Sequence, residues 1–236
     1  MGLSTLRLTH AVATGGAGPT ASRRTTRLLT AGIVAGPLFF TVWALQASTR
    51  DGFDPTRHPI SLLSLGDLGW IQVANFVLTG ALVVACAVGL RRALQTGRGA
   101  VWGPRLIGSF GAGLIVAGIF VADAGAGYPV GAPAGAPEMS WHGVLHEMGY
   151  ALALLSWTAA CLVFGARFAA LGRRVWARSC VAIAMIAFLV GTSPYPESLS
   201  VRIVLATAVQ FAFVAVVAAH HQQALRSAVH AGTQPR

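Results

Sequence analysis

The chain has 236 residues, 55% of them hydrophobic and only 10% charged. Soluble domains carry about 25% charged residues, so this composition excludes a chain that solvates its own surface. The basic complement is seventeen arginines and no lysine against seven acids, a formal charge of +10. The arginines sit in short clusters between apolar runs, without interleaved aromatics, which argues against nucleic acid as a partner and for a lipid bilayer.

A helix needs about 20 mostly apolar residues to cross the hydrocarbon core. Residues 1–27 are rich in Ser, Thr, Gly and Arg, have no sustained apolar period and read as a disordered tail. Leu28–Ala47 is charge-free and predicts the first span, with Pro37 expected to kink it. A polar loop follows, from Asp51 to Asp67, in which Pro59 can open a short apolar turn. Trp70–Leu90 predicts the second span. Leu106–Ala122 predicts a glycine-rich third, whose Ser109, Gly113 and Ala117 form a stripe that permits close helix approach. Leu114, beside that stripe, is expected to face lipid. After Asp123 comes a long Pro/Gly-rich loop to Trp141, of the kind that serves as a lid or binding segment.

Met148–Ala166 predicts the fourth span and extends backward through Glu147 and His146. Val175–Thr192, with only Arg178 near one end, predicts the fifth, and Ile203–Ala219 the sixth. Residues 221–236 read as a tail, with His220 and His221 in water. The three cysteines all lie in apolar runs and offer neither a disulfide framework nor a metal knuckle. The expected fold is therefore all-α, a bundle of six transmembrane helices over residues 28–220. Gln72, Asn75 and Gln210 are available for hydrogen bonds between helices.

Charge orients the bundle. Fourteen arginines and no acid fall on one side of these spans; Arg50, Arg57 and Arg202 share the other with all seven acids. The positive-inside rule predicts a multi-pass protein of the cell membrane with both termini cytoplasmic.

Chemistry is then concentrated outside. His58, Asp67, Asp123, His142, His146 and Glu147 are the candidates for an outward-facing polar pocket. His142 and His146 are four residues apart, so they share a helix face with Tyr150. Two imidazoles at that spacing can ligate a divalent metal such as zinc, with Asp123 as a third ligand. Position 143 is Gly and the glutamate follows the second histidine, so this is not the zincin HExxH pattern. Without metal, the same residues are interfacial hydrogen-bonders beside belt aromatics. Two functions follow. One is a transporter-like or accessory protein whose pocket binds a small solute, ion or lipid headgroup. The other is a metal-dependent membrane hydrolase acting on a lipid or amide.

The loops also carry a resemblance. His58-Pro59-Ile60-Ser61, Gly66-Asp67-Leu68-Gly69-Trp70, Phe120-Val121-Ala122-Asp123 with Gly127-Tyr128-Pro129, and Ser140-Trp141-His142-Gly143-Val144-Leu145-His146-Glu147 together resemble the bacterial membrane family called domain of unknown function 998. The resemblance covers roughly residues 28–220. Family members commonly have proline after the aspartate matching Asp123, where this chain has Ala124. It implies about six spans and a membrane location, and brings no established reaction.

Overall fold

The computed structural model describes residues 19–192 and 198–232. Six α-helices form: α1 (Pro19–Thr49), α2 (Gly69–Ala93), α3 (Trp102–Ile119), α4 (Trp141–Ala170), α5 (Arg174–Thr192) and α6 (Leu199–Gly232), with a short 3-10 turn at Ile60–Ser64 between α1 and α2. Among the described residues no strand forms. Five stretches are long and apolar enough to cross a membrane: Ser22–Thr49, Gly69–Ala93, Trp102–Ile119, Trp141–Ala170 and Leu199–Ser227. The chain is thus an all-helical, multi-pass membrane protein.

Each helix packs on its chain neighbours, and α6 closes the ring against α1. The α5–α6 seam is thin, and α4 and α6 do not pack closely. Connections alternate between two ends. The loops after α1 and α3 meet at an acidic end, where the His58 ring bonds Ala126 O at 3.1 Å. Those after α2 and α4 meet at an arginine-rich end, where Arg167 donates to Thr96 O and Arg98 O at 3.1 and 2.9 Å.

α3 is gripped on two sides through backbone. A Cβ on Gly113 would lie 2.6 Å from Ala153 N and Gly149 O of α4, and one on Gly111 would lie 2.6 Å from Gly80 O of α2. Gly113 and Ala117, two of the three residues of the expected stripe, meet α4. The second face, through Gly111, has no counterpart in that stripe. Phe39, Phe76, Phe110 and Phe211 join α1, α2, α3 and α6 in the centre, with Phe39–Phe76 and Phe39–Phe211 ring centroids 5.4 and 5.2 Å apart. Gln72 and Asn75 hydrogen-bond between helices as expected: Gln46 donates to Gln72 Oε1 at 2.8 Å and Asn75 to Phe39 O at 3.1 Å.

Several expectations need correction. Leu114 is only 7% exposed and faces the bundle interior, because Gly113 beside it draws α4 close. The helices outrun their apolar cores. α1 is helical from Pro19, inside the tail expected over 1–27, and residues 1–18 lie outside the described residues. α6 continues into the tail expected over 221–236, because its polar extension finds partners: Gln222 donates to Thr30 Oγ1 at 2.8 Å and Thr26 O at 3.2 Å. Nor do His220 and His221 stand free in water. His220 lies against Phe168 and Trp176 and bonds Arg173, and His221 bonds Val217 O at 2.8 Å.

The α3–α4 contact gives a direct test. Gly113→Leu should abolish most of the monodisperse folded protein recovered in detergent, since its side chain meets backbone on both sides. Ile119→Ala, at a residue 57% exposed, should leave recovery near wild type. Size-exclusion profiles of the two variants read the difference.

Candidate functional site

α3 is short, and its last carbonyls need donors from elsewhere. α4 supplies them. His146 Nδ1 lies 2.8 Å from Ala117 O and 3.0 Å from Phe120 O, and His142 Nδ1 lies 2.8 Å from Val121 O. A carbonyl only accepts, so both histidines carry their proton on Nδ1 and leave Nε2 unspent on backbone.

Ser140 starts α4 as its N-cap: its Oγ accepts from Gly143 N at 3.1 Å and donates to Asp123 Oδ1 at 2.6 Å. Ser140 N donates to Asp123 Oδ2 at 2.8 Å. His142 Nε2 stands 3.7 Å from Asp123 Oδ1. The carboxylate occupies the space where a Cβ on residue 143 would be, which is why glycine is required there. Bonds from the Ser140 hydroxyl above all, then its amide and the two nearby imidazoles, hold the Asp123 carboxyl below its ordinary value.

The other expected site residues are dispersed. His58 is buried, and both ring nitrogens are committed: Nδ1 accepts from Asp54 N at 2.8 Å, so Nε2–H donates to Ala126 O. Its ring packs with Phe53 and Tyr128 in a small apolar cluster that joins the two loops. Ser200 at the start of α6 donates to Pro55 O and His58 O at 2.8 and 2.7 Å. Asp67 is exposed between the 3-10 turn and α2, and Glu147 is exposed on α4. Asp123, His142 and His146 are therefore brought together, while His58, Asp67 and Glu147 stand apart from them. Among the described residues, no group of three or more His, Cys, Asp and Glu is placed to hold a metal ion.

Beneath this junction lies a small cleft, a cavity of about 50 Å³ that is partly open to the outside. It occupies the gap where α4 and α6 fail to pack. Its walls are largely apolar, from Phe39, Phe76, Leu114 and Ala117 among others, and Ile60 of the 3-10 turn contributes a wall. Four polar side chains face it: His146 and Tyr150 of α4, Thr207 and Gln210 of α6. Towards the arginine-rich end, Trp157 shuts the gap, donating from Nε1 to Gln210 O at 3.1 Å and stacking edge-on with Phe213. Gln210 is only 6% exposed, and its side chain makes no hydrogen bond among the described residues. Sequence reasoning reached His146 but missed Thr207 and Gln210 as wall residues. The available signal was two polar residues at i, i+3 in an otherwise apolar helix.

The Asp123 linkage has a definite sign. A carboxyl whose folded value is depressed contributes stability above its unfolded value, near 4, and loses that contribution as pH falls through the lower folded value. Limited proteolysis of the loop between Asp123 and Ser140 should therefore be constant from about pH 7 to 5 and accelerate only below about pH 4. In Asp123→Asn that acid-induced step should disappear, with faster cleavage already at neutral pH.

No curated protein and no solved structure matches the chain. Residues 33–226 match the family described as Protein of unknown function (DUF998), and with most of its length covered the chain belongs to that family.

Proposed function

We propose that the protein is a six-span protein of the cell membrane, with both termini cytoplasmic, whose cleft takes a small lipid-like ligand from the outer half of the bilayer. α5 (Arg174–Thr192) supplies the sixth span in this reading. The Gln210 amide, open to a largely apolar cleft and without a hydrogen bond among the described residues, carries the ligand assignment. Ligand sites are typically apolar concavities with a few convergent polar groups, and an amide open to such a concavity can bond what enters it. The protein then acts as a carrier or accessory factor for its ligand.

Orientation rests on the arginine partition. In intact cells, a thiol introduced as Ala134→Cys should react with an impermeant maleimide, and one introduced as Gln95→Cys should react only after lysis. The native cysteines Cys86, Cys161 and Cys180 are buried and give little background. The opposite labelling pattern would invert the topology.

A metal-dependent hydrolase is the second reading, and one observation favours it. Both His142 and His146 turn Nδ1–H to backbone carbonyls, the arrangement that fixes a ligating histidine with Nε2 towards a metal. One preparation separates the two readings. Wild-type protein purified in native nanodiscs should carry an extractable lipid-like molecule near 1:1, reduced at least about tenfold in Thr207→Trp, whose indole fills the cleft. Stoichiometric zinc in the same sample, lost in His146→Ala and not in Thr207→Trp, would favour the hydrolase instead.

A further inference from the structure

The chemistry of the cleft also selects a class of ligand, an inference that rests on the cleft being a lipid-accessible binding site. His146 is 5% exposed and faces the cleft. Its Nδ1–H is spent on Ala117 O and Phe120 O, so in the neutral ring Nε2 is a lone pair. Among the described residues nothing donates to it. Gln210, on the facing helix, offers an unpartnered amide. At 1.5 Å per residue the two lie about 8 and 16 Å below the ends of α4 and α6 nearest the acidic loops. The cleft therefore presents an acceptor at one depth and an amide at another, between apolar walls.

No arginine lines this cleft, and no acid. An anionic headgroup entering it would shed its water with no counter-charge to meet. Charges stand only beyond the walls and are of mixed sign: the Asp123 carboxylate within electrostatic reach of His146, and Glu147 and Arg202 within reach of Tyr150. A bare hydrocarbon would leave Nε2 and the Gln210 amide unpaired. A hydroxyl fits either one, donating to Nε2 at the shallower depth or, at the deeper, donating to the amide oxygen and accepting from the amide nitrogen. Access favours a membrane-borne molecule. The acidic-end loops are fastened over the bundle by Ser200 to Pro55 O and His58 O, and by Arg50 to Leu63 O and Leu65 O. Among the described residues, the thin seam between α5 and α6 is left as the way in.

We propose that the cleft binds an uncharged amphiphile bearing a hydroxyl group, with His146 Nε2 accepting from that hydroxyl, and that it rejects carboxylates and phosphates of the same chain. The test uses full-length protein in detergent and a diazirine-bearing analogue of 1-decanol. Photolabel should map to α4 and α6. Competition is then measured with 1-decanol, decanoate, decyl phosphate and decane. Decanol should displace the label at about tenfold lower concentration than any of the other three. That preference should vanish in His146→Phe and return in His146→Gln, whose amide can donate to the α3 carbonyls and accept from the ligand. Should His146→Phe fail to fold, Gln210→Leu reads the second pole and should also narrow the preference. Decanoate or decyl phosphate competing as well as decanol would overturn the hydroxyl assignment and leave the cleft standing. So would a decanol preference that survives both Gln210→Leu and loss of the His146 imidazole. Label that falls outside α4 and α6, displaced by none of the four, would remove the cleft reading and this proposal together.

Discussion

The rest of this molecule depends on one helix being short. α3 has eighteen residues, about 27 Å of helix against a hydrocarbon core of about 30 Å. Its last carbonyls would be orphaned in a medium that supplies no water, at a cost of several kcal/mol each. His142 and His146 of α4 meet that need. They can do so only because Gly113 and Gly149 let the two backbones touch. Asp123 and Ser140 then fix where α4 begins, and Gly143 leaves room for the carboxylate between them. The small-residue contact, the histidine pair and the serine–aspartate cap are thus one device for ending a short helix inside a membrane.

That device has a consequence for the interior. Drawing α4 onto α3 takes it away from α6, which leans instead on α1. The space between them is closed at one depth by Trp157 and Phe213 and left open above. His146 serves both sides of the arrangement: one nitrogen ends α3, and the other faces the cleft. The loops at the acidic end complete the enclosure. His58 is spent there as a tie between two loops, which explains its burial without any chemistry of its own.

Much of the architecture was legible in the sequence because hydrophobic length and arginine placement are properties of single segments. Trp70–Leu90 lies within α2, and Ser140 to Glu147 mark the start of α4 where the motif says they should. The ends of α1 and α6 were less legible, because polar residues such as Gln222 are helical only through partners on another helix. The site shows the same divide. Periodicity puts His142, His146 and Tyr150 on one face, but what that face meets depends on where α3 stops. Leu114 was misjudged for the same reason: the direction of a helical side chain is local, and the surface it faces is not.

In the sequence every acid lies on one side of the apolar spans and fourteen of the arginines on the other, so the spans between them carry almost no formal charge. A long-range field of that kind orients the protein in the bilayer. It gives an interior site nothing with which to hold an ion. Selectivity inside the bundle must then come from hydrogen bonds at fixed positions, where low dielectric makes an unpaired donor or acceptor costly. His146 and Gln210 are placed to impose such a cost, and the tautomer of His146 is set by the end of α3 before any ligand arrives. The feature that terminates the helix also decides which chemical group the cleft can accept.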